Sequence, residues 1–325
     1  MIDIIIPAYN AHNTIEKTLF SIAYQKNIDD LNVYIVNDAS ENGYSKEVEY
    51  FKKFMNIKEL KLKNNVGPGL ARQFGVDKSN SEYIVFIDSD DVFFSPFSLK
   101  VLYENIENNN ADVVISSFYE ELDDGTRIEH INDGIWLHGK IYRREFLDKN
   151  KIRFNNTYAN EDNGFNQLVF LHDSKITTID EFTYIWLFNE NSITRVNNHE
   201  YSFGGIEGYL YNITWALNIA IEHGCYEHKI ATLAFSTLIA TYYYYIEFKD
   251  NVNKDNLIKW AKRIYEISLK YPIQSEEEKM NIWNNHFLYS TGELDLKDKL
   301  NPPITLDNFF EKIENCIVEN KIMKI

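Results

Sequence analysis

The stretch Tyr83-Ile84-Val85-Phe86-Ile87-Asp88-Ser89-Asp90-Asp91 constrains this chain more than any other. Five apolar residues in a row predict a strand buried on both faces, which requires a sheet with helices packed on either side. Three carboxylates follow at once, where such a strand emerges. In open α/β sheets ligands gather at the carboxyl ends of strands, and carboxylates there can hold a hard divalent cation that bridges a diphosphate. Asp88 and Asp90 are therefore read as a clamp for a cation and a diphosphate; the plain alternative is a polar turn that merely leaves a strand.

The neighbouring segments supply the rest of such a sheet. Ile4-Ile5-Ile6 predicts a first strand ended by Pro7, and Asn13 with Glu16 reads as a capping box before a helix through Ile15, Leu19 and Ile22. Asn32 to Val36 predicts a second strand, Lys46 to Phe54 a helix and Leu60 to Leu62 a short strand. Gly67-Pro68 opens a further helix through Arg72 to Val76. This alternation predicts an α/β fold with a mostly parallel sheet flanked by helices. After Asp91 the alternation ends. A helix from Pro96 to Glu107, a hairpin turned at Asp124-Gly125, a helix from Asp162 to Leu171 and short strands at Ile176 to Ile179 and Phe182 to Phe188 follow. From about Tyr201 the pattern is helical, in Tyr209 to Glu222, Lys229 to Phe248, Asp255 to Leu269 and Leu306 to Val318. The expected division is a catalytic domain over 1–200 and a helical domain over 201–325.

Composition narrows the function. The 325 residues are 44% hydrophobic and 15% aromatic, ample for a packed core, and their formal charge of -16 sets nucleic acid aside as a partner. Cys225 and Cys316 cannot build a disulfide framework, so a cytoplasmic home is expected. The start of the chain has no basic region and too short an apolar run for a signal peptide. Ile230 to Ile246, an uncharged run at the lower limit of length for crossing a bilayer, is read as a buried helix.

Several motifs coincide in order: Pro7-Ala8-Tyr9-Asn10 after the first strand, Asp38 after the second, Gly67 through Arg72 at a helix start, and Asp88-Ser89-Asp90-Asp91. With Glu161-Asp162 and Asn191-Ser192-Ile193-Thr194 downstream, the first ~200 residues resemble a family 2 glycosyltransferase with the nucleotide-binding fold called GT-A. The resemblance implies a UDP-sugar donor, Mn²⁺ or Mg²⁺, and inversion at the transferred carbon. Asp38 can accept from the ring N–H of a uracil, Arg72 can bond a base carbonyl or a phosphate, and Tyr9 can lie against the base. Each also suits an ordinary turn or helix surface. By resemblance Asp90 is the metal ligand, Asp88 serves the ribose or a metal-bound water, and Asp91 only caps the turn.

Glu161-Asp162 resembles the family's acidic pair, in which Asp162 would take the proton of the acceptor hydroxyl. The same residues after Asn160 also suit a helix N-terminus. Trp136 to Arg144 resembles the stretch along the donor sugar, placing His138 and Lys140 near it and letting Gly139 approach a ligand, with Arg143 and Arg144 read as a solvated helix face. Beyond Thr194, Arg195 and His199 could close over the diphosphate, His199 as a further metal ligand. His223, Cys225 and His228 have zinc-like spacing without a fourth ligand, and Tyr242 to Tyr245 is expected to pack in a core or between copies.

The expected activity is transfer of a hexosyl or N-acetylhexosaminyl group to a cell-surface polysaccharide, teichoic acid or lipid-linked oligosaccharide. Peripheral membrane contact and self-association through the C-terminal helices stay open. Two other classes compete: a nucleotidyltransferase, whose glycine-rich first loop is missing from Pro7-Ala8-Tyr9-Asn10, and a non-catalytic glycan-binding protein on the same fold.

Overall fold

The computed structural model describes residues 1–157, 160–190, 203–247, 251–289 and 304–322. Two compact units divide the chain, Met1–Asn212 and Ile213–Ile325.

In the first unit the described residues form one sheet of nine strands: β1 Ile2–Ala8, β2 Leu31–Asn37, β3 Asn56–Lys61, β4 Tyr83–Phe86, β5 Val92–Phe93, β6 Val113–Glu121, β7 Arg127–His130, β8 Lys140–Arg143 and β9 Ile176–Trp186. Their order is β3-β2-β1-β4-β8-β6-β9-β5, with β7 paired to β6. The half from β3 to β4 is parallel, as the apolar runs require, and the half beyond β4 is mixed. Helices α1 Ile15–Ala23, α2 Ser45–Phe51, α3 Pro68–Lys78, α4 Ser98–Asn108, α5 Arg144–Lys149 and α6 Glu161–Leu171 belong to the same unit. Leu19, Ile22, Phe51, Leu99, Leu102 and Ile106 cover the sheet residues Ile4, Ile6, Val33, Ile35 and Val85 in one apolar cluster. At ~25 cal/mol per Å² of apolar surface removed from water, this burial is the main force holding the unit.

Some local expectations need correction. The Asn13–Glu16 capping box does not form: Thr14 is the N-cap of α1, and its hydroxyl and the Ile15 N–H both donate to the Ala11 carbonyl. The two short strands after α6 are one bulged strand, β9, in which the register with β6 shifts on either side of Ser117. Arg143 and Arg144 are not solvated. Arg144 donates to Asp3 Oδ2 at 3.0 Å and to the Ser81 carbonyl at 2.6 Å, and Arg143 Nε to the Ala111 carbonyl at 3.0 Å. Asp3 is wholly buried and needs such partners. Burial pushes its carboxyl up, but hydrogen bonds from Ser81 and Asn32 and the charge of Arg144 bring it below its ordinary value.

A long helix, α7 Phe203–Glu222, contains the boundary between the units. The second unit continues with α8 Glu227–Glu247, α9 Asn251–Lys270, α10 Glu276–Tyr289 and α11 Leu306–Ile322. Tyr242 and Tyr243 on α8 are buried against Trp283, and the Tyr242 hydroxyl donates to the Ile304 carbonyl at 2.8 Å. This part of the tyrosine cluster is core. No helix among the described residues is long and apolar enough to cross a membrane, and His223, Cys225 and His228 do not converge into a metal-binding group.

Candidate active site

Asp38 ties three strand and helix ends together. It leaves β2, its N–H donates to the Ala8 carbonyl at the end of β1, and its carboxylate accepts from Val66 N–H at 2.8 Å and Gly67 N–H at 2.9 Å, at the start of α3. Burial raises its carboxyl despite those two donors. Gly67 has φ +82, a conformation that favours glycine, and Pro68 follows at the first helical position. Pro7 and Ala8 complete β1, while Tyr9 beyond it is 55% exposed, with its ring available at the strand ends. Asn10 binds the loop after β2, through its N–H to Ser40 Oγ and its Oδ1 from the Glu41 N–H.

Arg72 lies one turn into α3 and is buried. Nη2 donates to Asp88 Oδ1 at 2.5 Å and Nη1 to Glu161 Oε1 at 2.6 Å, so both ends of its fork are taken by carboxylates rather than left for a base or phosphate. Gly69 permits this approach, since a Cβ there would come within 2.8 Å of Glu161 Cγ. The acidic turn after β4 and the start of α6 are thereby joined by one cation.

The acidic turn is finely divided. Asp88 is pushed up by burial but held below the usual carboxylate range by Arg72 and His138. Burial and the charge of Asp88 raise Asp90, whose Oδ2 accepts from Asn189 Nδ2 at 2.8 Å. Ser89 sits half-buried between them. Asp91 is more than a turn cap: it is buried, accepts from the Tyr184 hydroxyl at 2.6 Å and from Leu187 N–H at 2.9 Å, and is raised well above its ordinary value by burial and by Asp90 and Asp88. His138 stacks on Tyr184 with ring centroids 4.6 Å apart and brings Nε2 to 3.9 Å from Asp88 and 3.8 Å from Asp91. Burial lowers its pKa although Asp88 opposes, and the neutral ring is the form that can bind a metal.

Ligand atoms of Asp88, Asp91 and His138 lie within 4.8 Å of one another. Two carboxylates and an imidazole suit Mn²⁺, and the crowding that raises Asp90 and Asp91 favours a bound cation. This group differs from the expected pair of Asp88 and Asp90 with His199. His199, Arg195 and Asn191 to Thr194 lie outside the described residues.

Asp162, next to Glu161 on α6, is half-buried and raised to about 7, chiefly by burial and by the neighbouring Glu161, with Arg72 opposing. Asn160 precedes it in a left-handed conformation without capping the helix through its side chain. Lys140 is not presented to the crevice. Its ammonium is buried, donates to the carbonyls of Asp133 and Trp136, and is lowered to about 8 by burial. Gly139 has φ +63, and the close approach it permits is to Ser116, whose Oγ would lie 2.5 Å from a Cβ. Tyr184 and Asn189 carry no sequence signal that singles them out, and Asp91 reads in the sequence only as a cap of the turn.

Comparison with known proteins matches residues 3–160 to the model of the family described as glycosyl transferase family 2. Just under half of the chain thus matches glycosyltransferase family 2. It is 27% identical over 221 residues to the uncharacterized glycosyltransferase EpsJ of Bacillus subtilis (strain 168), covering 60% of this chain and 63% of EpsJ. It is 26% identical over 208 residues to the poly(ribitol-phosphate) beta-N-acetylglucosaminyltransferase TarP of Staphylococcus aureus (strain N315), covering 58% of this chain and 63% of TarP. The matches thus span less than two thirds of these relatives. Among solved structures, S. aureus TarS 1-349 in complex with UDP-GlcNAc superimposes with a TM-score of 0.57 at 18% identity, over 92% of this chain and 77% of that one. The chain has the GT-A fold, and Asp38, Arg72, Asp88 and Asp162 all belong to the unit that contains the family match.

Proposed function

We propose that this chain is an inverting, cation-dependent glycosyltransferase that moves an N-acetylhexosaminyl or hexosyl group from a UDP-sugar to a hydroxyl of a cell-surface glycan. The observation that carries the reading is the Arg72 bridge between Asp88 and Glu161, which links the acidic turn to the helix of Asp162. The names of TarP and TarS support a UDP-N-acetylglucosamine donor and a poly(ribitol-phosphate) type of acceptor.

Asp38 and Tyr9 would receive the pyrimidine, by hydrogen bonding and by contact with the ring. Asp88, Asp91 and His138, with Asp90 beside them, would hold Mn²⁺ or Mg²⁺. When bound, the ion neutralises the leaving diphosphate. Asp162 would accept the proton of the attacking hydroxyl as its oxygen approaches the anomeric carbon from the face opposite the diphosphate. Arg72 keeps Glu161 paired, so that Asp162 is the carboxylate free to take the proton. Division into a catalytic domain and a helical domain that serves the acceptor or a second copy belongs to the same proposal.

Incubation with a panel of UDP-sugars and Mn²⁺, followed by release of UDP, tests the reading. Release from one donor supports it. Pyrophosphate exchange would instead favour a nucleotidyltransferase, and donor binding without turnover on any candidate glycan a binding protein.

A further inference from the structure

One side chain fastens the helix that carries Asp162 to the segment that carries His138. Asn166 lies four residues after Asp162 on α6, one turn on and on the same face, and is 1% exposed. Its amide nitrogen donates to the carbonyls of Ile135 at 2.8 Å and Trp136 at 3.0 Å, and its amide oxygen accepts from the Tyr142 hydroxyl at 2.8 Å. Only a carboxamide makes this set, because it offers two donors and an acceptor on one short stem.

The contacts run on from there to the cation cluster. The Trp136 ring lies 6.2 Å from that of His138, His138 stacks on Tyr184, and Tyr184 donates to Asp91. Lys140 also donates to the Trp136 carbonyl, so that this peptide is held by two donors from different elements. A donor fixed at Asp88, Asp91 and His138 must meet a proton acceptor on a different element, α6. The relative placement of those elements therefore sets the reacting distance, and an error of about 1 Å can cost ~100-fold in rate.

We propose that Asn166 is a positioning residue that fixes the separation between the Asp162 carboxylate and the Asp88–Asp91–His138 cluster. The proposal rests on reading Asp162 as the base. Asn166 itself touches no reacting atom; it acts through the Ile135–Trp136 peptide.

The test compares the full chain with Asn166→Asp, Tyr142→Phe and Asp162→Asn variants, following UDP release from UDP-N-acetylglucosamine with Mn²⁺. Asn166→Asp keeps the size of the side chain and still accepts from Tyr142, but sets a carboxylate against two carbonyls. The expected result is a ~10–100-fold fall in kcat with KM changed by no more than about twofold, because donor binding is untouched while the base is displaced. Tyr142→Phe, which removes only the hydroxyl seating Asn166, is expected to lower kcat in the same way but less. A kcat for folded Asn166→Asp equal to that of the parent, or a loss confined to KM, overturns the proposal. Should Asn166→Asp fail to fold, Tyr142→Phe decides, and an unchanged kcat overturns it. Full turnover by Asp162→Asn would remove the underlying reading instead, so the two failures are told apart.

Discussion

Arg72 and Glu161, 89 residues apart in the chain, share a buried ion pair with Nη1 2.6 Å from Oε1. The other arm of the same guanidinium holds Asp88. Both carboxylates press the Arg72 pKa above its ordinary value even though burial opposes them, so the side chain is a fixed charge.

Removing that charge is expected to unfold part of the site. Arg72→Gln leaves Glu161 buried without a cation, and loss of one partner of a buried pair costs about 3–5 kcal/mol. Arg72→Lys keeps the charge but offers a single point where the fork reaches two carboxylates, so it is expected to restore stability only in part and turnover hardly at all. Urea unfolding and UDP release, measured on both variants, check this.

Asp162 gives the pH dependence a direction. Its carboxyl is raised to about 7, and a base works only when deprotonated. The value of kcat/KM is therefore expected to climb with pH through the neutral range and level off above it. A profile already flat at pH about 5, near the ordinary carboxylate range, would contradict the assignment.

The acidic turn separates two accounts of the cation site. The motif resemblance favours Asp90, whereas the convergence of ligand atoms favours Asp91 with Asp88 and His138. If the converging group is the ligand set, Asp91→Asn and His138→Gln weaken Mn²⁺ activation more than Asp90→Ala does. Titration of Mn²⁺ against UDP release in the three variants gives the order.

His130 makes a prediction away from the crevice. Its pKa is raised to about 9 by Asp133 and Glu120, from an ordinary 6.5. Since the folded form holds the proton more tightly, its stabilising effect is complete below about 6.5 and disappears as pH rises through about 9. The Tm difference between the parent and His130→Gln is expected to shrink over that window.

Much of this arrangement was legible beforehand because it is local. Apolar runs name β1, β2 and β4, and polar residues at their ends name Asp38 and Asp88. Gly67-Pro68 marks the start of α3 by backbone geometry alone. What stayed hidden depends on distant partners. Arg72 reads as a ligand for a base until Asp88 and Glu161 close on it, and Lys140 reads as a ligand for the donor until the Trp136 and Asp133 carbonyls take its protons. Tyr184 reaches Asp91 across 93 residues, in a strand whose bulge alternation could not reveal. Helix α10 begins with three glutamates and lacks a clear apolar stripe, so its pattern did not announce it.

The account depends most on the carboxylate of Asp162. Paired measurement of UDP release from UDP-N-acetylglucosamine and of UDP affinity, for the parent and for Asp162→Asn, tests it directly. The predicted result is a loss of turnover on the order of 100-fold or more with UDP affinity nearly unchanged. Turnover by Asp162→Asn at the parent's rate would contradict it.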